Sequence, residues 1–527
     1  MRIARPVLAA VAVAALLAGC GTRTATDAAT TAAGTAAAET ADTATVAEVA
    51  TASVPQTVAE ALAARQQPHV VDATWDAADV VDVTLDGPTA SADGAGVLVA
   101  DGTVTITEAG AYRLSGTLDG QVVVDTASTG TVRLILDGAT ITSSTTAAIA
   151  IVQADELAII LADGSQNALT DAAIYADTST DAPNAALWSA DDLTITGSGA
   201  LTVTGSANDG IAAKDGLVID GGTITVTAAD DGIRGKDYLV VNGGTLTVDA
   251  GGHALKSDNA DGATVGYVAL LGGTLDLSSS GEDGVNAQAI LVGEATVTIG
   301  VADDGMHADA DMVIGGGSIT VSASYEALEA ATMAISGGVL DLTSDDDGIN
   351  IAGGADSSGL AGPGGGDQFA ANPDQWVDIS GGSITIHAQG DGFDSNGSAT
   401  VSGGTLVIHG PTNDGNGAID VNGTFELSGG TLVAGGSAGM AEVPDSAQGW
   451  ASVNFGGTVA AGTTVELVAD GATVASYTAE KVFASVVFAN PAIETGAEYE
   501  VLVDGVSVGS ITAGVHVGGM GPGGPRG

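Results

Sequence analysis

The stretch that decides the fold is Asn208-Asp209-Gly210-Ile211-Ala212-Ala213-Lys214-Asp215, followed by Leu217-Val218-Ile219-Asp220-Gly221-Gly222-Thr223-Ile224-Thr225-Val226. It recurs 22 residues later, from Asp231-Gly232-Ile233-Arg234-Gly235-Lys236-Asp237 to Gly243-Gly244-Thr245-Leu246-Thr247-Val248. A fixed period of this length is typical of proteins built from stacked repeats. The period therefore governs how the rest of the chain is interpreted.

Each repeat contains two short alternating runs separated by Asp-Gly and Gly-Gly turns. Such short strands cannot bury a core alone, but they can when equivalent strands stack. An array of strands alternating with helices is excluded, because no segment between the turns has the length or the 3.6-residue period of a helix. The pattern predicts an all-β fold: a right-handed parallel β-helix over about residues 95–437, followed by a small C-terminal β module.

The register of the repeat predicts three columns of side chains. An inward apolar column contains Ile211, Ile233, Leu255, Val285, Met306, Leu328, Ile349 and Phe393. A turn column before it contains Asp209, Asp231, His253, Asp283, Asp304, Glu326, Asp347, Asp391 and Asp414, and a column after it contains Ala212, Arg234, Lys256, Asn286, His307, Glu329, Asn350 and Asp394. Gly-Gly corners begin at Gly221, Gly243, Gly272, Gly316, Gly337, Gly381, Gly403 and Gly429, where glycine permits positive φ and close stacking.

The charge of the chain limits its partners. The 527 residues contain 12 Lys and Arg against 65 Asp and Glu, a formal net charge of −53. This balance argues against nucleic acid and against anionic membrane surfaces. It favours cations, or partners that are recognised through bound cations, although a salt-adapted proteome would produce the same acidity.

The N-terminus predicts export and lipidation. Residues 1–19 form a predicted lipoprotein signal peptide, with Arg2 and Arg5 before an apolar run too short to span a bilayer. Leu17-Ala18-Gly19-Cys20 resembles the bacterial lipobox, which implies cleavage before Cys20 and a lipid anchor on the extracellular face of the cell membrane. The alternative is an ordinary secretory signal with a chance cysteine. Since Cys20 is the single cysteine, no intrachain disulfide forms.

Several motifs together resemble a known family. They are Ala186-Leu187-Trp188-Ser189-Ala190-Asp191-Asp192-Leu193-Thr194-Ile195, the Asp231 to Asp237 run, the Gly-rich insertion after Asn350, and Lys481-Val482-Phe483-Ala484-Ser485-Val486. Over roughly residues 77–513 the chain resembles the bacterial carbohydrate-binding domain family of pectate-lyase-like, calcium-binding, right-handed β-helices. The resemblance implies Ca²⁺ as cofactor and affinity for plant-wall polysaccharides such as polygalacturonate and cellulose, without an established catalytic activity. This chain departs from the family's Asp-Gly turn at His253-Ala254 and Glu326-Ala327.

The resulting domain prediction has four parts after the signal peptide. Residues 20–76 form a lipid-anchored, Ala/Thr-rich flexible linker, and residues 77–440 form the parallel β-helix carbohydrate-binding domain. Residues 441–517 form a small β module that caps the open end, and residues 518–527 form a disordered Gly/Pro-rich tail. The insertion from 353 to about 375 is predicted to be a surface loop.

The acidic turns are candidate calcium ligands. Neighbouring parallel strands lie about 4.8 Å apart and calcium–oxygen bonds are about 2.3–2.6 Å, so carboxylates on adjacent repeats can share one ion. Stacked carboxylates otherwise repel one another. The predicted ligands are Asp230, Asp231, Asp283, Asp303, Asp304, His307, Glu326, Glu329, Asp346, Asp347 and Asn350. The alternative is solvated aspartates that serve only the Asp-Gly turns.

The basic residues are candidate sugar ligands. Lys214, Arg234, Lys236 and Lys256 recur at repeat spacing, and no Lys or Arg lies between Lys256 and Lys481. Beside bound calcium, they would offer charge-assisted hydrogen bonds to an acidic glycan. The alternative is that they neutralise neighbouring aspartates.

Three functions are compatible with this pattern. The first is calcium-dependent polysaccharide binding without catalysis, by a monomer that contacts the membrane through Cys20 and does not bind nucleic acid. The second is a pectate-lyase-type enzyme, in which a basic residue removes the proton α to a uronate carboxylate while calcium stabilises the anion. The third is a structural, adhesive or ice-binding solenoid, which needs Thr-x-Thr columns that Asp276, Asp341 and Val407 interrupt here.

Overall fold

The computed structural model describes residues 56–69, 71–352 and 371–516 of the chain. The predicted signal peptide, Cys20 and the tail at 518–527 lie outside the described residues, as do most of the predicted linker and the insertion between 353 and 370. Within the described part, no helix has the length and apolar character that a membrane crossing requires.

The first described residues form a short helix, Val58–Ala63. A capping box between Thr57 and Glu60 satisfies backbone N–H groups at its first turn. Just beyond the helix, Arg65 forms an ion pair with Asp311 of the repeats. This segment belongs to the predicted linker, and the ion pair attaches it to the sheet.

Among the described residues, strands make up nearly all other regular structure, and 39 of them belong to one mostly parallel sheet. The all-β prediction is therefore confirmed. The strands fall into three stacks, in each of which a strand pairs in parallel with the equivalent strand of the next repeat. The repeat explains this pairing, because equivalent residues 22 positions apart are placed side by side.

The strands of the three stacks have the following bounds. The first stack contains Thr103–Ile106, Gln121–Asp125, Ile149–Gln153, Ala185–Ser189, Asp209–Ala213, Ile233–Gly235, Leu255–Ser257, Ile349–Ile351, Phe393–Ser395 and Asp420–Val421. The second contains Val80–Gly87, Glu156–Leu161, Leu193–Gly197, Gly216–Ile219, Tyr238–Val241, Tyr267–Leu270, Trp376–Ile379, Ser398–Val401 and Phe425–Leu427. The third contains Gln166–Thr170, Ala200–Gly205, Thr223–Ala228, Thr245–Ala250, Thr274–Ser279, Thr296–Val301, Ser318–Ala323, Val339–Ser344, Ser383–Ala388, Thr405–His409 and Thr431–Gly436.

A few strands depart from this scheme. Longer strands run from one stack into the next: Gly110–Asp119, Thr131–Thr142, Val285–Val292, Met306–Ile314 and Leu328–Ile335. Near the N-terminal end, Thr89–Ala92 and Val97–Ala100 pair in antiparallel fashion with Val80–Gly87 and Thr103–Ile106.

The predicted inward column is confirmed. Its eight residues pair in the expected order, and all are fully buried. In the third stack the alternation is equally regular: Ile224 and Val226 are buried while Thr223 and Thr225 face solvent. One apolar cluster extends in this way from Val83 to Ala489. Full burial of each such side chain contributes about 1.5–3 kcal/mol, so the columns supply the main driving force for stacking.

The turn column ends earlier than the sequence predicts. The N–H of Gly417, and not that of Asp414, donates to the carboxylate of Asp391 in the position equivalent to the previous turns. Because Asp394 pairs with Asp420, the turn-column position of this repeat is Gly417, three residues after Asp414. The prediction that Asp414 extends the column is wrong.

The C-terminal module begins where the parallel stacking stops. Phe483–Ala489 pairs in antiparallel fashion with both Thr431–Gly436 and Trp450–Val459, so it covers the last strand of the third stack. A separate antiparallel sheet then contains, in spatial order, Ala472–Thr478, Thr464–Ala469, Glu498–Val503 and Val506–Thr512. A second apolar cluster, which includes Tyr477 and Phe488, fills this module.

The Gly-Gly corners use their two glycines differently. In every predicted corner the second glycine, not the first, has positive φ, as at Gly222, Gly244 and Gly273. At Gly244, φ is +96° and a Cβ atom would lie 2.8 Å from the Gly222 carbonyl oxygen. At Gly243 the nearest atom to a Cβ would be 3.6 Å away.

These geometries predict opposite outcomes for two adjacent substitutions. Gly244→Ala is expected to lower the free energy of unfolding by about 1–3 kcal/mol, because alanine resists positive φ and its methyl group meets the previous repeat. Gly243→Ala, the matched control, is expected to change it by less than about 1 kcal/mol. Urea midpoints of the two variants measure the difference. Equal midpoints would contradict this account of the corner.

Candidate functional site

Two columns of polar side chains run side by side along the first stack. The turn column contains Asp209, Asp231, His253, Asp283, Asp304, Glu326, Asp347 and Asp391, one in each repeat. The strand column contains Arg234, Lys256, Asn286, His307, Glu329, Asn350 and Asp394, which pair in order on successive strands. Each strand-column residue follows a turn-column residue by three positions, so the two columns contact each other within a repeat.

The turn column forms a ladder of hydrogen bonds to the backbone. Asp231 Oδ1 accepts from the His253 N–H at 3.1 Å, and His253 Nδ1 accepts from the Asp283 N–H at 3.2 Å. Asp283 Oδ1 and Asp304 Oδ1 accept from the N–H groups of Asp304 and Glu326, at 3.1 and 3.0 Å. Ionised acceptors strengthen such bonds. The second oxygen of each aspartate is left to face the strand column.

His307 lies at the centre of the most buried part of the two columns. Its Nδ1 is 2.8 Å from Glu329 Oε2 and 3.3 Å from Asp304 Oδ2, and its Nε2 is 3.5 Å from Asp309 Oδ1. Burial lowers the pKa of His307, but hydrogen bonds to these three carboxylates outweigh burial and raise the pKa to about 12. His307 is therefore an imidazolium at neutral pH.

Three aspartates converge beside His307. Asp283, Asp303 and Asp304 each offer an oxygen within 4.8 Å of the others. Burial, with the charge of Asp283, raises the pKa of Asp304 despite its hydrogen bond to His307. Burial also acts on Asp283, but the neighbouring His253, a hydrogen bond from Asn286 and the charge of His307 outweigh it and lower the pKa. Adjacent repeats thus hold one firmly ionised carboxylate and one that resists ionisation.

The next repeat contains an acceptor atom without a donor. Glu326 Oε2 accepts from Asn350 Nδ2 at 2.7 Å. Asn350 is 7% exposed, and its Oδ1 has no hydrogen-bond partner among the described residues. Burial, together with the charges of Glu329 and Asp304, raises the pKa of Glu326 to about 9. A buried oxygen that lacks a donor is costly, and it is a suitable ligand for a cation.

The acidic column continues through Asp346 and Asp347. Asp347 Oδ1 accepts from the Asp391 N–H at 2.6 Å. Burial, followed by the charges of Asp391 and Asp346, raises the pKa of Asp347 to about 8. Asp346 Oδ2 accepts from the Tyr325 hydroxyl at 2.6 Å. Asp346 therefore faces a partner outside the two columns.

Two of the aspartate pairs pack against a glycine of the following repeat. A Cβ atom at Gly252 would lie 2.7 Å from Oδ1 of Asp230 and 2.9 Å from Oδ1 of Asp231. Gly390 has the same position relative to Asp346 and Asp347. Asp230 itself is exposed, whereas Asp231 is buried. Glycine leaves room for both carboxylates at the edge of the ladder.

The predicted basic patch is occupied by ion pairs. Arg234 pairs with Asp258 at 2.7 Å, Lys256 with Asp231 at 3.1 Å and Lys214 with Asp181 at 2.9 Å. The charge of Lys236 acts on Asp215, where it partly offsets the rise in pKa that burial causes. The geometry matches the alternative weighed from the sequence, in which these cations neutralise neighbouring aspartates.

Two further clusters were not predicted. His253 Nε2 lies 2.8 Å from Glu282 Oε2, beside Asp231. A second cluster joins His387, His409 and Glu480. The two histidines are 22 residues apart, so alignment of the repeats would have found them; Glu480 lies outside the repeats and carries no such signal.

The residue types of the columns match the preferences of a hard cation. Carboxylate and amide oxygens dominate, and Asp283, Asp303 and Asp304 offer oxygens within 4.8 Å of one another. Oxygen ligands in this number suit Ca²⁺, which accepts six to eight of them in flexible geometry. The unpartnered Oδ1 of Asn350 fits this requirement. The predicted ligands from Asp283 to Asn350 are therefore neighbours, whereas Asp230 and Asp231 lie at the basic end of the columns.

The pKa shifts predict how the metal-free protein responds to pH. Glu326 and Asp347 are raised from ordinary values of 4.5 and 3.8 to about 9 and 8, so the folded state keeps protons that the unfolded state releases. Linkage then makes the free energy of unfolding fall as pH rises from the unfolded values towards the folded ones. Melting temperatures in chelator are therefore expected to decline between about pH 5 and pH 9.

Glu326→Gln removes one of these titrations and keeps the size of the side chain. It is expected to flatten the decline and to raise the melting temperature of metal-free protein at pH 8, by an amount equivalent to about 1 kcal/mol or more. Asp276→Asn, an exposed residue of the third stack, is the control and should leave the profile unchanged. A flat wild-type profile would refute this reading of the ladder.

Comparisons with known proteins identify a family for most of the repeats. The family model described as "Carbohydrate-binding domain-containing protein" matches residues 100–348 and 291–482. A protein of the same description from Acetivibrio thermocellus is 43% identical over 150 residues, which are 28% of this chain and 52% of that protein. The chain thus spans about half the length of this curated relative. 

A solved structure is also similar in part. It is described as the polysaccharide lyase-like protein from C. thermocellum, in a gadolinium derivative, with 34% identity and a TM-score of 0.43. The match covers 44% of this chain and 96% of the other.

Since the family model matches well over half of the residues, the chain belongs to the carbohydrate-binding domain-containing protein family.

Proposed function

We propose that the protein is a cell-surface lipoprotein that binds polysaccharide in a calcium-dependent way, without cleaving it. Membership of the carbohydrate-binding family supports polysaccharide as the ligand. The proposal of a calcium site rests on a single observation. Oδ1 of Asn350 is buried beside the carboxylates of Glu326 and Glu329 and has no hydrogen-bond partner among the described residues. Acidic plant-wall glycans such as polygalacturonate, or cellulose, are the proposed ligands.

The proposed architecture is a right-handed parallel β-helix. Equivalent strands of successive repeats pair in parallel in all three stacks, which supports continuous winding. Parallel crossovers are right-handed in nearly all known cases. The two polar columns would then run along one side of the helix, so that a long glycan can lie parallel to the stack.

The proposed calcium sites lie between successive turns from Asp283 to Asp347. Asp304 Oδ2 and Glu329 Oε2 both approach His307 Nδ1, at 3.3 and 2.8 Å, so their oxygens already converge. Glu326 and Asn350 add oxygens from the adjacent repeats. A calcium ion bound there would be coordinated by oxygens of the protein and of the glycan together.

The arrangement of the basic residues supports binding over turnover. A lyase base must reach one α-proton while the metal holds the same uronate. Arg234 donates to both oxygens of Asp258, and Lys256 is paired with Asp231, so each is committed to a carboxylate. These two cations could exchange their protein carboxylates for the carboxylates of a glycan. Neither is held in the uncharged form that a catalytic base needs.

The proposed location rests on the N-terminal sequence. Leu17-Ala18-Gly19-Cys20 would place a lipid on Cys20, and the Ala/Thr-rich segment that follows would carry the repeats away from the membrane. Single acyl chains bind membranes weakly, whereas several chains on one cysteine anchor stably. Mass spectrometry of the mature N-terminus tests this part separately.

Removal of calcium is expected to abolish binding to polygalacturonate. Calorimetric titration with the full chain should give measurable affinity in millimolar calcium and none in chelator. Glu329→Gln and Asn350→Ala should each weaken the calcium response at least about tenfold, because each removes a proposed ligand oxygen. Asp276→Asn removes an equal charge elsewhere and should bind like wild type. Equal binding with and without chelator would overturn the calcium requirement, and binding to cellulose alone would redirect the choice of glycan.

Incubation with polygalacturonate and calcium is expected to release no unsaturated product. Ultraviolet absorbance of the 4,5-unsaturated uronide measures it, with a pectate lyase as positive control. Sustained release from wild type that is abolished in Arg234→Ala or Lys236→Ala would replace binding by lyase chemistry. The Arg113→Ala variant, which removes a surface cation paired with Asp82 outside the basic patch, is the matched control.

A further inference from the structure

Two histidines stack on neighbouring strands at the C-terminal end of the third stack. His387 belongs to Ser383–Ala388 and His409 ends Thr405–His409, and the two residues pair directly in the parallel register. Their rings are stacked, with centroids 5.0 Å apart and planes inclined by 10°. Histidines are scarce in this chain, which contains 6 of them, so the pairing of two at one point requires a reason.

Glu480 of the C-terminal module lies against both rings. Its Oε2 is 3.5 Å from His387 Nδ1, and its Oε1 is 3.9 Å from His409 Nε2. One nitrogen of each imidazole therefore faces the same carboxylate. For tetrahedral coordination with bonds of about 2.0–2.1 Å, ligand atoms lie about 3.4 Å apart, so binding would require the two stacked rings to rotate until their in-plane lone pairs meet at one point.

The remaining ring nitrogens have partners of their own. His387 Nε2 is 3.3 Å from Asp341 Oδ1, and His409 Nδ1 is 3.0 Å from the Tyr477 hydroxyl. Ligand histidines in proteins usually have their second nitrogen held in this manner, which fixes the ring orientation and the tautomer. Each histidine thus has one nitrogen facing Glu480 and the other held by a second partner.

We propose that His387, His409 and Glu480 bind a zinc ion or a similar first-row transition metal. Two imidazole nitrogens and one carboxylate match the ligand preference of Zn²⁺, whereas Ca²⁺ prefers oxygen alone. His409 is buried and His387 is partly exposed, while the Glu480 side chain is 61% exposed. The fourth coordination position would therefore face solvent and accept water.

This site would fasten the C-terminal module to the repeats. The histidines come from the last repeats, whereas Glu480 immediately precedes the strand Phe483–Ala489. Lys481 donates to the Ala388 carbonyl at the same junction, and Ser485 donates to the Ser437 carbonyl. The proposed ion would add a coordinate link to these hydrogen bonds, independently of the calcium proposed for the turn column.

The test is titration of the metal-stripped full chain with Zn²⁺ in saturating calcium, which keeps the acidic ladder occupied. Wild type is expected to bind one more zinc ion than His387→Ala or Glu480→Gln, and cobalt should give the visible absorption of a low-symmetry site only in wild type. Asp341→Asn should weaken the affinity about 10–100-fold as a positioning residue. His69→Ala is the matched control, because this histidine is partly exposed and faces Glu156 elsewhere in the structure.

Unchanged zinc stoichiometry and affinity in both His387→Ala and Glu480→Gln would overturn the proposal, as would a wild-type protein that binds no zinc at micromolar concentration. His409 is buried, so His409→Ala risks misfolding; the more exposed His387 and Glu480 avoid that difficulty. A zinc-dependent rise in melting temperature that both variants lose would support the fastening role.

Discussion

In-register stacking places each side chain directly above its equivalent, and the rest of the structure depends on this constraint. For the apolar column the constraint is favourable, because each column residue between Ile211 and Phe393 is covered by its equivalents in the repeats on both sides. For the turn column it is unfavourable, because carboxylates recur at the spacing of parallel strands, about 4.8 Å. The backbone N–H ladder compensates part of this repulsion, and His307 and Lys256 compensate more by placing positive charge between repeats.

The departures from Asp-Gly show how the compensation works. His253 keeps the ladder intact, since its Nδ1 accepts the same N–H bond that a carboxylate accepts in the neighbouring turns. Glu326 is one methylene longer than aspartate, and its carboxylate turns towards Asn350. The burial that follows explains why the pKa of Glu326 is raised to about 9. Both irregular turns thus change only the side chain, its charge at His253 and its length at Glu326, within an unchanged backbone register.

The sequence predicts those features that the period itself encodes. The column from Ile211 to Phe393, the neighbouring polar column and the positions of the Gly-Gly corners all follow from the repeated motif, even where insertions lengthen its 22-residue spacing. Partners outside the repeat do not follow from it. Asp258, which pairs with Arg234, lies in an irregular turn, and Glu480 reaches His387 only through the antiparallel return of the C-terminal module. Which glycine of a corner has positive φ also depends on backbone geometry that the letters Gly-Gly do not distinguish.

Charge balance connects the proposed calcium to the proposed glycan. The carboxylates of Asp283, Asp304, Glu326 and Glu329 carry −4 when ionised, and the His307 imidazolium and one Ca²⁺ carry +3, so a net charge of −1 remains. A cluster of this charge does not attract a uronate by net charge. With −53 over the whole chain, attraction must come from calcium coordination positions that protein oxygens leave open, or from exchange of the ion pairs of Arg234 and Lys256. In the proposed function, the partly exposed carboxylates beside the buried ladder, such as Asp303 and Asp346, are therefore where protein and glycan would share an ion.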